Sequence, residues 1–437
     1  MKNKWLVLLL CLAFIKGIIW LCLTPIFQAP DENVHFGMIQ YLGETGHTPG
    51  SRNGSVASGE VVAVGKIVNF NWMKSHPVWQ GLPRNWVEQI KALDSSLKSE
   101  FVSDVDQGGQ KLPKGYFLTG AAVYKIFANQ NFFWRFYALR LLSVIFGIIT
   151  VYLSFLIAEI FFKNKILSLA AASLIVFQPM ASVIFSSITY DSLAILTATV
   201  FLYLAVKFIQ TKKKKFQWLA LVIALAGLMV KSQLIGLSLA WLFLLTKKQL
   251  KFLPLFILIF FLLGWQVHDI RQFLLLIPEW SRENNWHQIG DYLTVYSKPL
   301  LAEVFPWYWG VFGWLEKTMP LLVYRIIKII CLTSLIGLIV SRQYKRIRFF
   351  LIFVLIMALV IFANDFFIFS QRGSNFGVQG RYFLPAISAQ MILLVFGLTA
   401  LMPKKYHNLL AKILIVLSIL LNLIALWTNY QFFGWIW

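Results

Sequence analysis

The sequence predicts an all-α polytopic membrane protein of about 11 transmembrane helices, and three observations carry that reading. Apolar residues fill 59% of the 437 positions and charged residues 13%, about half the ~25% charged share of soluble domains. Apolar runs recur along the whole chain, several of them near the ~20 residues that a helix needs to cross ~30 Å of hydrocarbon. Connections rich in Lys and Arg alternate with connections that hold nearly all the acids, which is how membrane proteins sort charge. The formal charge of +22 therefore belongs to loops at one face rather than to a nucleic-acid surface. Cys11, Cys22 and Cys331 all lie inside apolar stretches without metal-ligand spacing, so neither a disulfide framework nor a zinc site is expected.

The first span covers 5–24, an apolar run of 20 preceded by Lys2 and Lys4 and interrupted only by Lys16. It exceeds a signal-peptide core of roughly 7–15 residues, and no small-residue cleavage site follows, so it reads as a retained span. Ten more are expected at 137–162, 166–187, 192–209, 217–231, 233–246, 252–268, 320–341, 349–365, 382–402 and 409–428. With the N-terminus in the cytoplasm, Lys163, Lys165, Lys212 to Lys215, Lys247, Lys248, Arg342, Lys345, Arg346, Arg348, Lys404 and Lys405 fall on the cytoplasmic side. Of the 18 acids, only Glu159 falls near it. That bias sets the orientation in the cell membrane.

The chain reads as a single integral domain, 1–437, with extracytoplasmic segments at 25–135, 269–319 and 366–381. In the first, Val34, Met38 and Tyr41 recur at helical spacing, predicting an amphipathic helix at the interface. Phe117, Ala121, Tyr124 and Ile126 predict a second over 115–128, and Ser51 to Gly59 is turn-rich. The second segment is aromatic and ends in Phe305 to Trp314; the third contains Gln379-Gly380-Arg381-Tyr382-Phe383-Leu384-Pro385.

Chemistry concentrates after the first span. His35 follows Glu32 by three residues and Asp31 by four, so it can share a helical face with either acid, although Pro30 with acids behind it is also an ordinary helix start. Arg381, after a permissive glycine, can grip phosphate oxygens in a bidentate fork or simply snorkel. Lys231 stands between two apolar runs beside Ser232 and Gln233, and Arg140, one turn into its span, is placed to pair with Asp31 or Asp191. Trp309 and Trp314 fit an aromatic belt, or a platform for a sugar ring or isoprenoid tail. Asp31, Glu32, His35 and Asp191 carry donors suited to Mg²⁺ or Mn²⁺. No DxD triplet stands in the first outer segment, so the expectation is a reaction without metal, a divalent cation remaining the alternative.

Three stretches carry a resemblance: Pro30-Asp31-Glu32-Asn33-Val34-His35-Phe36, Trp309-Gly310-Val311-Phe312-Gly313-Trp314-Leu315-Glu316, and Gln379 to Pro385. Together and in order they resemble an uncharacterised family of bacterial polytopic membrane proteins grouped by fold with the GT-C glycosyltransferases. Tyr137 to Ser143 and Asp191 look like further GT-C signatures. The resemblance implies a GT-C-like fold and inverting transfer of a sugar from a polyprenyl-phosphate carrier to a cell-surface glycan, lipid or protein acceptor at the outer face. Asp31 matches the position of the catalytic base, with Glu32 beside it, and Lys231 matches a lysine directed at the carrier phosphate. His35, Arg140, Asp191, Arg381, Tyr382, Trp309 and Trp314 complete the expected substrate-binding set. The competing reading is a transporter or flippase of lipid-linked saccharides. It calls for internal repeats and mid-membrane charges; the halves show no convincing repeat, and interior charges are scarce.

Overall fold

Helices form at the expected apolar runs, and local chemistry sets their ends. The computed structural model describes residues 4–49, 57–70, 78–101, 112–268, 270–272, 274–275, 287–297, 299–372 and 377–434. Positions 51–56 of the expected turn-rich segment lie outside them, as do parts of the segments 269–319 and 366–381, expected to be extracytoplasmic. In order, α1 spans Lys4–Leu23, α2 Glu32–Thr45, α3 Gly59–Ile67, α4 Trp86–Lys91, α5 Gly115–Ile126 and α6 Phe132–Phe162. Next come α7 Lys165–Val176, α8 Pro179–Ile184, α9 Tyr190–Thr211, α10 Lys214–Leu228, α11 Ile235–Leu242 and α12 Leu253–Trp265. Last are α13 His287–Ser297, α14 Phe305–Trp309, α15 Leu321–Val340, α16 Tyr344–Arg372, α17 Ile387–Ala400 and α18 His407–Phe433. A two-stranded hairpin pairs Val311 with Thr318 and Phe312 with Lys317.

Each of the eleven expected spans meets a helix. Among the described residues, seven helical stretches are long and apolar enough to cross a membrane, while α7, α10, α11 and α12 are shorter. Trp5, Ile15, Leu321, Ile329, Val416 and Leu420 lie exposed on these apolar helices. Such side chains have hydrocarbon, not water, as their solvent, and the protein is embedded in the membrane.

The span expected at 166–187 is not one helix. Gln178 takes an extended backbone, its side chain accepts from Ala181 N, and Pro179 opens α8, because proline cannot donate to the preceding turn but fits a first turn. The break frees the Val176 carbonyl within the bundle. Lys16 Nζ donates to it at 2.7 Å and to Ser182 Oγ at 2.9 Å, which accounts for the lone charge inside α1.

Above the bundle, α2, α3, α5 and the start of α6 enclose a second core around Phe27, Phe36, Phe117, Phe132 and Phe136. The expected interfacial helix is the centre of this cap: Phe36, Gly37, Met38, Ile39 and Gln40 are buried in succession. Close contact between α2 and α5 needs glycine at two places. A Cβ on Gly43 would stand 2.4 Å from the Tyr124 ring, and one on Gly120 would stand 2.5 Å from Ile39 Cδ1.

A buried polar network fastens the cap. Arg135 Nη2 and Nη1 donate to Glu60 at 2.5 and 2.9 Å, and Nη1 also reaches Tyr124 Oη at 2.8 Å. Tyr124 donates to Glu44 at 2.7 Å, and Gln40 donates to Glu60 at 2.6 Å. Removing one partner strands a buried charge, whereas removing both need not. Arg135→Ala is therefore expected to destabilise the protein by about 3–5 kcal/mol. Glu60→Gln combined with Arg135→Met should recover most of that loss, read as thermal unfolding in detergent.

Candidate functional site

The site grows out of the turn between α1 and α2. The turn is held from behind by Arg140, whose five donors are all used. Nε and Nη2 grip Glu32 at 2.8 and 2.6 Å, and the others reach Leu21 O, Thr24 O and Pro25 O at 2.7, 2.6 and 3.0 Å. The guanidinium thus caps the C-terminus of α1 and pairs with the first residue of α2. Glu32 also accepts from Phe27 N at 3.2 Å and Ile188 N at 3.0 Å. Both side chains are 0% exposed. The expected pairing of Arg140 with Asp31 or Asp191 is thus replaced by a pair with Glu32. Neither Glu32 nor Arg140 has an atom left to touch a substrate, which removes one expected catalytic group and one expected ligand contact.

Asp31 behaves oppositely. It is the N-cap of α2, yet its side chain caps nothing and its backbone is left-handed at φ 63°, a strained conformation for a residue with a Cβ. In this conformation the carboxylate accepts from Arg381 Nη2 at 2.5 Å, while Arg381 Nη1 reaches Pro30 O at 3.4 Å. Its side chain is 39% exposed, against 5–6% for Asp191, Lys231 and Arg381.

The remaining charges form a ladder behind it. Arg381 Nε stands 3.9 Å from Asp191 Oδ2, and Asp191 Oδ1 accepts from Lys231 Nζ at 2.5 Å. Lys231 sits between the rings of Tyr190 and Tyr382, 4.9 and 4.7 Å from their centroids. Arg381 is delivered by a segment that lies on α14: a Cβ on Gly380 would fall 2.0 Å from Tyr308 N, so only glycine admits the approach. His35 packs edge-on against Tyr190 at 4.7 Å, and its Nδ1 bonds to Ile188 O at 3.1 Å. No hydrogen bond joins the imidazole to Asp31 among the described residues.

Burial acts to raise the Asp31 pKa, but Arg381, His35 and Lys231 outweigh it and hold the carboxyl below its ordinary value. Burial pushes His35 down to about 4, against the pull of Asp31 and Asp191. At neutral pH the pair is a carboxylate and a neutral imidazole.

A cavity of about 190 Å³ opens beside the ladder, walled by Lys231, Tyr190, Tyr382, Gln233, Asn364 and Asp365. It shares Ser232, Gln233 and Asn364 with an apolar groove of about 440 Å³ between α11, α12 and α16, lined by Leu239, Phe260, Ile356 and Leu359. Gln233 Oε1 and Arg381 Nε are buried without a hydrogen-bond partner. The arrangement suits an amphiphile with an anionic head.

The family described as predicted membrane protein (DUF2142) matches residues 14–389. The chain belongs to that family. No curated protein matches the sequence. Among solved structures, ArnT from Cupriavidus metallidurans bound to undecaprenyl phosphate is similar at 13% identity and TM-score 0.49, covering 99% of this chain and 76% of that one. An Archaeoglobus fulgidus oligosaccharyltransferase in complex with Zn and sulfate is similar at 12% identity and TM-score 0.49, covering 96% of this chain and 53% of that one.

In this member of the family, the expected residues divide. Asp31, Asp191, Lys231, Arg381, Tyr382 and His35 come together. Trp314 does not face the cavity; its Nε1 donates to Phe27 O at 3.1 Å, steadying the turn. Trp309 is buried in the main hydrophobic core of the bundle. Glu32 spends its oxygens on Arg140 and two backbone amides, so the four donors weighed for a divalent cation do not converge. Among the described residues no group of three or more His, Cys, Asp or Glu could hold a metal ion.

Sequence reasoning missed Tyr190, Asn364 and Asp365, and it noted Gln233 only as a neighbour of Lys231. Tyr292 Oη donates to Asp365 at 3.0 Å. The available signal was Asn364-Asp365, two adjacent polar residues inside an apolar helix.

Two outcomes follow from this geometry. Glu32→Gln strands the Arg140 charge and should cost about 3–5 kcal/mol, visible as lost accumulation in the membrane or a lowered melting temperature. His35 binds fewer protons folded than unfolded, since its folded pKa is about 4 against an unfolded value of ~6.5. Stability should therefore fall as pH drops from about 6.5 toward 4, and His35→Gln should flatten that slope in melting curves.

Proposed function

We propose that the protein is a GT-C-type inverting glycosyltransferase. It takes a sugar from a polyprenyl-phosphate carrier and places it on a cell-surface glycan, lipid or protein acceptor at the outer membrane face. The observation that carries the reading is the join between the polar cavity at Lys231 and the apolar groove, through Ser232, Gln233 and Asn364. A lipid-linked phosphate needs both environments at once. The Lys and Arg bias of the opposite connections supports an outward-facing site, and the motif resemblance supports the reaction class.

In this mechanism the carrier phosphate binds at Lys231 and Arg381, whose buried Nε lacks a hydrogen bond. An acceptor hydroxyl enters beside Asp31, the most exposed acid of the ladder. The hydroxyl oxygen bonds to the anomeric carbon, and the bond from that carbon to the phosphate oxygen breaks. Its electron pair leaves with the carrier phosphate, and the proton passes to Asp31. Arg381 couples the two ends: as its charge is shared with the phosphate, the Asp31 carboxylate becomes more basic. Glu32 and Arg140 position Asp31 and touch neither substrate.

Asp31→Asn is expected to lower sugar release by roughly 10²–10⁴-fold while binding of undecaprenyl phosphate is kept. Lys231→Ala should weaken that binding. The measurement uses purified protein with a panel of undecaprenyl-phosphate-linked sugars; full release by the Asn variant would defeat the assignment.

A further inference from the structure

At the end of the bundle away from Asp31, a cavity of about 810 Å³ opens among the ends of α6 and α9, the turn after α11 and the start of α16. Lys163, Lys212, Lys345, Arg346 and Arg348 line it, and no acid stands among its lining residues. The same three long helices carry Arg140, Asp191 and Asp365 toward their other ends. α9 alone has 22 residues, so the two sites are separated by roughly 33 Å, about one hydrocarbon thickness.

Local chemistry opposes this gathering of charge. No acid stands in the first turn of α16, and Lys345, Arg346 and Arg348 crowd its beginning, although a helix N-terminus is the positive end of the dipole and favours anions. Lys163 and Lys212 follow α6 and α9 with left-handed backbones at φ 52° and 58°, where Asn or Gly sits with less strain. Orientation bias explains cations on this face. It does not require five of them to converge on one void. Ile209, Phe243, Phe349 and Ile352 supply apolar wall beside the charges, so the occupant has acyl chains as well as anionic groups.

We propose that this cavity binds the headgroup of an acidic phospholipid with two phosphates, drawn from the leaflet opposite Asp31. The charges on α16 meet one phosphate and Lys163 with Lys212 the other, and no acid of the cavity lining competes for them.

Native mass spectrometry of the full-length protein in detergent, titrated separately with cardiolipin, phosphatidylglycerol and phosphatidylcholine, tests the site. One cardiolipin should be retained most tightly. Lys163→Asn with Lys212→Asn removes two charges and suits the left-handed backbone, so the fold is kept while cardiolipin affinity falls roughly tenfold or more. Lys404→Gln with Lys405→Gln, on cations outside the cavity lining, should leave affinity unchanged. Unchanged binding by the Asn pair overturns the proposal, as does an equal loss in the Gln pair. Retention of phosphatidylglycerol as tight as cardiolipin overturns the two-phosphate assignment.

Discussion

The pair of Arg140 with Glu32 is the interaction on which the rest of the candidate site depends. Both side chains are withdrawn from solvent, and in a low-dielectric setting an unsatisfied charge there would cost several kcal/mol. The guanidinium meets that demand with five hydrogen bonds, three of them to carbonyls at the end of α1. The carboxylate meets it with the guanidinium and two backbone amides. One ion pair therefore joins the end of α1, the start of α2, the upper part of α6 and the turn before α9. Two adjacent acids consequently have different fates: Glu32 is consumed by the fold, and Asp31 is pushed outward by the turn that Glu32 secures.

What stands outward is a ladder of alternating charge, Asp31, Arg381, Asp191 and Lys231. With two acids and two bases, it is neutral as a set, and neutrality lets charged groups persist where water is scarce. Yet it is not closed. The Arg381 Nε lacks a hydrogen bond, and the Asp31 carboxylate keeps 39% of its side-chain surface. Asp31 stands at φ 63° without capping its helix, a strained conformation that persists only because the surrounding contacts, the Arg381 pair among them, fix it.

The bundle beneath is adapted to one side more than the other. Long α6, α9 and α16 run from the ladder to the basic cavity, whereas α7, α10, α11 and α12 are short. Breaks at Pro179 and around Lys231 free backbone carbonyls within the protein, and other groups of the chain meet them: Lys16 Nζ reaches Val176 O at the first and Gly115 N reaches Met229 O at the second. Irregular backbone in a membrane protein survives only when protein or a cavity takes its polar groups, and both breaks obey that rule.

By itself the sequence determined the membrane class, the places of the helices and the residues worth watching, because hydrophobic run length and charge placement are one-dimensional properties written in order along the chain. The motif around Asp31, the lone lysine at 231 and Arg381 after Gly380 were legible for the same reason. Tertiary structure alone decided which carboxylate of Asp31-Glu32 faces out, that Arg140 serves the turn, and that Trp309 and Trp314 pack rather than line the cavity. It also revealed Asp365, Asn364 and the basic cavity. Those outcomes depend on which residues meet across separations of 40 to 350 positions, as in Lys231 with Asp191 and Arg381 with Asp31. Pairing at such range is settled by competition for buried hydrogen bonds in three dimensions, and local spacing does not encode its winner.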